Sequence, residues 1–255
     1  MGVGYIIGCF LSILLWKVDR LKLIIGVDSF IRKGEKDSKN IELIYLLAML
    51  IISIILYFIR YNEMANAITA FLVIDISNTE RKNLNIKDKS HFYDSISLIS
   101  RALVSGFIAP LFYILVLGNG FAIAYALTYH LANIDKYRII KFTFNILTII
   151  PAAIAQLLLY IVYLIKNKRF TVDFKGDYLI NCIRRPLLNI DIFGAYIESV
   201  NFYYYFSDDD VHYVKSYGEY TNKIDIVCVK DYLSISYAIA MVCFISFFIF
   251  IRLFY

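Results

Sequence analysis

The chain has 255 residues, 60% of them hydrophobic and 18% charged, with a net charge of +5. A soluble domain carries roughly 45–50% apolar and about 25% charged residues, so the composition excludes a soluble globular domain, a disordered chain and a disulfide-stapled secreted module. What remains is an all-α, polytopic membrane helix bundle, whose positive excess reflects the positive-inside bias rather than a nucleic-acid surface.

The first apolar stretch, 3–16, has no basic residue before it and no small-residue cleavage site, so it reads as a retained span. Gly4 and Gly8 within it form a GxxxG pair, which lets two helix backbones approach closely. A basic stretch, 17–41, leads to apolar segments at 42–59 and 64–76, and a second basic stretch covers 77–101. Further apolar segments follow at 102–117, 119–134, 143–165 and 232–251. Because about 20 helical residues cross the hydrocarbon, five to seven spans are expected in a multi-pass protein of the cell membrane. Residues 1–165 then form the transmembrane core, 166–231 a polar loop region and 232–255 a C-terminal transmembrane helix. The polar region is 66 residues long, with nine basic and ten acidic side chains, and its side of the membrane stays open. Seven crossings place it outside, whereas a helix broken or re-entrant at Pro151 returns it to the cytoplasm.

Gly118, Ala122 and Ala126 recur at i, i+4, i+8 and form one small-residue stripe on a helix. Such faces suit packing within the bundle and homo- or hetero-oligomers alike. His130 continues the stripe, as a residue hydrogen-bonded across the bundle or as a ligand or proton-relay position. Pro110 sits inside the 102–117 segment and predicts a kink that frees a backbone carbonyl.

The sequence contains no Walker A loop, HExxH, GxSxG or CxxC, and its histidines (His91, His130, His212) lie in separate regions. Asp208, Asp209 and Asp210 form a solvated turn or a Mg²⁺ site. Arg184-Arg185-Pro186 is an interfacial anchor or a phosphate clamp. Cys9 and Cys243 read as packing residues, and Cys182 and Cys228 would pair only in an oxidising compartment.

The segment Gly106-Phe-Ile-Ala-Pro-Leu-Phe-Tyr113, followed by Gly118 and Ala122-Ile-Ala-Tyr125, resembles the cobalamin biosynthesis CobD/CbiB family. That family carries a DGxxAPLFY-like segment, a glycine-rich turn and an AxxY-type helix; Ile150-Pro151-Ala152 is similar to its later NxxPAR-like element. The resemblance is specific over about 105–165 and general elsewhere. It implies an integral membrane enzyme of the late corrin pathway that joins aminopropanol, or its phosphate, to a cobyric acid side chain. This is the adenosylcobinamide-phosphate synthase type of amide formation, with Mg²⁺ and ATP required if the activity is retained. The family's ENxxDG run falls on Arg101-Ala-Leu-Val-Ser105-Gly106, and its NTLDS run on Tyr129-His130-Leu131-Ala132-Asn133. The PAR arginine falls on Ala153, and the NAGWP-like element is reduced to the stretch around Asn189–Gly194. Gly, Ala, Pro and aromatic scaffolding persist while the acidic groups are lost. The resemblance therefore implies the fold more than the reaction. Replacement acids would have to come from Asp88, Asp94, Asp208, Asp209 and Asp210. The alternative is a non-catalytic membrane channel, translocation or assembly component, for DNA or another polyanion, although no residue pattern points directly to nucleic acid.

Overall fold

The computed structural model describes residues 2–15, 20–34, 38–58, 62–75, 89–134, 137–172, 177–208, 211–218 and 225–254. The apolar runs form helices because hydrocarbon offers backbone groups no other partner. In chain order these are α1 (Val3–Leu14), α2 (Arg20–Gly34), α3 (Ser38–Phe58), α4 (Glu63–Val73) and α5 (Lys89–Leu103). A π-helical turn at Val104–Ile108 leads into α6 (Ala109–Leu117), followed by α7 (Asn119–Ala132), α8 (Arg138–Asn167), α9 (Tyr178–Arg184) and α10 (Pro186–Ile197). A hairpin of β1 (Phe202–Asp208) and β2 (Val211–Tyr217) precedes α11 (Ile226–Phe254).

Among the described residues four stretches are long and apolar enough to cross a membrane: Lys39–Leu56, Ser95–Leu117, Arg138–Asn167 and Ile226–Leu253. The segment expected at 102–117 thus begins earlier, because α5 runs through the π turn into α6. The helices α1, α4 and α7 have 12, 11 and 14 residues. At 1.5 Å per residue they rise about 16–21 Å, short of the roughly 30 Å hydrocarbon. They need partners, and α1 and α4 find each other. Gly4 faces the backbone carbonyl of Glu63, and Gly8 that of Ala67, each so closely that a Cβ would collide with it. The two helices run parallel, and the Glu63 carboxylate accepts from the amides of Gly2 (2.9 Å) and Gly4 (2.7 Å). An acid here satisfies donors that a helix N-terminus otherwise leaves orphaned.

Both helix-interior prolines are accommodated by a named partner. Pro110 cannot donate to the carbonyl of Gly106, and that oxygen accepts instead from the backbone amide of Asp75 (2.9 Å). Gly106 itself has no room for a Cβ, which would meet the Asp75 carbonyl. Pro151 likewise leaves the Leu147 carbonyl without its helical donor, and the Tyr113 hydroxyl fills the gap at 2.7 Å. The helix α8 therefore passes through Pro151 unbroken. Gly118 joins α6 to α7 at a φ of +84°, a backbone conformation that glycine adopts without strain. Ala122 and Ala126 are buried in the core shared by α1, α4, α6 and α7.

The region 166–231, expected as a polar loop, is largely folded. The helix α10 is buried at every position except Leu187 and packs with α5, α8 and α11 around Ile99, Ala155, Ile190 and Tyr232. The aromatic run beginning at Phe202 forms a strand, with Tyr204 opposite Lys215. Aromatic side chains fit a pleated, half-buried surface, so the bundle carries one two-stranded hairpin beyond its helices. The four cysteines are unpaired.

Candidate functional site

Arg184 ends α9, and Arg185 stands between α9 and α10. Pro186 has no amide hydrogen and suits the first position of α10, so the chain turns there and leaves the arginine pair at a helix N-terminus. Around this turn lies a cavity of about 590 Å³, lined by Arg184 and Arg185 together with Arg101 of α5 and Lys141 of α8. Asn133, Asn145, Tyr204 and Tyr205 contribute to the same wall. Four cationic side chains from three separate parts of the chain thus converge on one concave space. The guanidinium of Arg185 lies 5.9 Å from the ring centroid of Tyr204, which ties the hairpin to the site.

Among the described residues one carboxylate lines the cavity. Asp191 is 5% exposed and accepts from the Ser97 hydroxyl at 2.7 Å through Oδ2. Its Oδ1 is buried and has no hydrogen-bond partner among the described residues. Burial pushes its carboxyl up to about 6, against the Ser97 and Ser100 hydroxyls and the Arg101 charge, which lower it. An acid held partly neutral beside four cations leaves the space strongly positive and lets the acid itself donate a hydrogen bond.

His130 lies elsewhere. Its Nε2 stands 3.9 Å from Asp75 Oδ2, in a buried cluster where α1, α4 and α7 end. Asp75 Oδ1 holds Arg20 Nη1 at 3.0 Å, and Arg20 Nη2 donates to Ser12 Oγ at 2.8 Å. The Ser12 hydroxyl in turn donates to the Ile74 carbonyl. The Arg20 guanidinium also lies 5.0 Å from the Phe71 ring centroid. This arrangement satisfies the charged pair and fastens the C-terminal ends of short helices, which carry partial negative charge. The structure does not bring His130 to the arginine pair.

Asp209 and Asp210 lie outside the described residues, as do Asp88 and the side chains of Asp94 and Asp208. Gly4, Gly8, Gly106, Pro110, Gly118, Ala122 and Ala126 serve the helix contacts described above, and none lines the basic cavity. Sequence reasoning placed Arg101 in the basic stretch 77–101 and gave Lys141 and Asp191 no role in a site. A charge that interrupts the apolar run after Pro186 is the signal that marks Asp191. For Arg20 and Asp75 the comparable signal is a charge close behind a short apolar helix. Comparison with family models, curated proteins and solved structures finds no match for this chain.

The donor set decides what the cavity can hold. Mg²⁺ calls for carboxylate and other oxygen ligands in near-octahedral geometry. Among the described residues no group of three His, Cys, Asp or Glu side chains is placed to hold a metal ion. Four cations around a single buried acid do not fit Mg²⁺. They do fit a phosphate or carboxylate, which guanidinium groups bind through paired hydrogen bonds.

Proposed function

We propose that this multi-pass membrane protein is built on a CobD/CbiB-like scaffold and binds a small phosphate-bearing molecule in its basic cavity. The observation that carries the reading is the convergence of Arg101, Lys141, Arg184 and Arg185 on one space of about 590 Å³, a volume within the roughly 300–1,000 Å³ of small-molecule sites. The resemblance supplies independent support. Its acidic motifs fall on Arg101 and Ala132, and its NAGWP-like element on Asn189–Gly194. Arg101, Ala132 and Asp191 all line this cavity although they are far apart in sequence. Where the family would set carboxylates, this chain sets an arginine and an alanine, so the site favours anions over metal ions. Asp191 Oδ1 suits a ligand that also brings a hydrogen-bond donor. Aminopropanol phosphate, which the resemblance implies, carries both an ammonium and a phosphate.

The test is calorimetric titration of the detergent-purified protein with aminopropanol phosphate and with aminopropanol alone. Saturable binding of the phosphate ester is expected, with Arg184→Gln combined with Arg185→Gln weakening it at least tenfold; equal binding of both compounds would overturn the reading. Whether an amide-forming step accompanies binding is decided by complementation in a strain lacking the synthase. Rescue establishes an active enzyme. Failure despite confirmed membrane expression and ligand binding favours the non-catalytic alternative, a membrane channel, translocation or assembly component.

A further inference from the structure

A second cavity, also of about 590 Å³, shares no lining residue with the first. It lies between the latter half of α3, the α6–α7 turn and the start of α1, with Leu50, Ile54 and Phe58 on one wall and Val116 and Leu117 on another. Among the described residues no charged side chain lines it. Its polar side is a chain of neutral groups, in which the Tyr5 hydroxyl donates to Asn119 Oδ1 at 2.8 Å and Asn119 Nδ2 donates to Asn66 Oδ1 at 2.6 Å. Both asparagines are buried, at 3% and 4% exposure. Burying two amides is favourable only when they are hydrogen-bonded, and Asn119 uses on Asn66 one of its two amide hydrogens.

We infer that this cavity is a binding site for one alkyl chain of a bilayer lipid, with the uncharged ester segment of that lipid at Asn119. Three observations select this occupant. The walls belong to helices whose faces away from the cavity are also apolar and exposed, with Leu47, Ile51 and Ile55 of α3 at 52%, 55% and 52%, so the cavity lies beside hydrocarbon. The described lining is apolar or neutral throughout, which suits an uncharged segment at that depth. The second Asn119 amide hydrogen matches an ester carbonyl, which has no donor of its own. Acyl chains that only coat the protein would instead touch all exposed apolar faces alike, including Met241, Val242 and Ile245 of α11.

The experiment uses the full chain in phosphatidylcholine nanodiscs containing a trace of phosphatidylcholine with a photoactivatable diazirine in one acyl chain. After illumination and digestion, adducts are expected on 50–58 and 114–121 at least fivefold above those on 241–249. Ile54→Trp, which fills the space from an exposed position, should lower the adducts on 114–121 at least threefold and leave those on 241–249 unchanged. Equal labelling of all lipid-facing helices, or an Ile54→Trp protein of normal thermal stability with unchanged labelling on 114–121, would overturn the inference. Binding at the basic cavity is measured separately, so either proposal can fail alone.

Discussion

The Tyr113 hydroxyl donates at 2.7 Å to the Leu147 carbonyl, the oxygen that Pro151 four residues later leaves without a helical donor. The partnership predicts a specific form of non-additivity. Tyr113→Phe leaves a buried carbonyl unsatisfied and should destabilise the protein by about 1–3 kcal/mol. In a Pro151→Ala background the new backbone amide supplies the missing donor, and the same Tyr113→Phe change should then have an effect near zero. Equilibrium unfolding of the four proteins in mixed detergent and denaturing micelles measures the difference; equal effects in both backgrounds would show that the hydroxyl serves no such role.

The Arg20–Asp75 pair yields a second double-mutant test. Each side chain is 4–5% exposed and the charges are 3.0 Å apart. Arg20→Met strands a buried carboxylate and should lower stability by about 3–5 kcal/mol. Adding Asp75→Leu should restore most of that loss, because the Asp75 amide that caps Gly106 is backbone and survives the change. The same unfolding assay reads both variants, and a double variant no more stable than Arg20→Met would contradict the assignment.

Asp191 makes anion binding at the basic cavity pH-dependent. With a carboxyl pushed up to about 6 by burial, it is mostly neutral below pH 6 and charged above. Ser97, Ser100 and Arg101 of α5 and Tyr232 of α11 act on it, and Lys141, Arg184 and Arg185 line the same cavity; none of these ordinarily titrates between pH 5 and 8. Ionisation adds a negative charge to the cavity, worth roughly 1 kcal/mol or about fivefold in affinity. Sulfate, a dianion throughout this range, should therefore bind more weakly as the pH rises through about 6. Asp191→Asn should flatten the profile. Folding follows the same sign, since a raised acid stabilises the fold fully below its ordinary range near 4 and loses that contribution as the pH climbs through about 6. A sulfate titration series at pH 5, 6, 7 and 8 on both proteins is decisive, and a profile unchanged by Asp191→Asn would count against this role.

Local features were the legible ones. The proline at 110 and the glycines at 4, 8 and 118 act through backbone rules that hold in any context, so their sequence positions already indicate a freed carbonyl, close approaches and a turn. The apolar runs around 42–59, 143–165 and 232–251 are long enough that helix was the only stable outcome in hydrocarbon. What the sequence did not reveal was convergence. Arg101, Lys141 and Arg185 meet because α5, α8 and α10 share a core, and no local pattern encodes that packing. The strand beginning at Phe202 was missed for a different reason. Aromatic residues suit membrane interfaces as well as strands, and only the pairing with β2 decides between them. The burial of α10 was hidden by its setting, a single apolar stretch inside a region whose average is polar.

The parallel pairing of α1 with α4 also constrains the order in which the protein is assembled. Gly4 and Gly8 meet Glu63 and Ala67, so α1 leaves the ribosome well before the surface it packs on exists. A helix of 12 residues is marginal alone and too short to be held by the bilayer as a span. Until the segment through Asp75 has been synthesised, α1 has neither the Glu63 carboxylate at its start nor the Arg20–Asp75 pair beyond its end. The helix α1 is therefore made before α4 but buried only with it, and its insertion is completed from behind, by a helix that follows it.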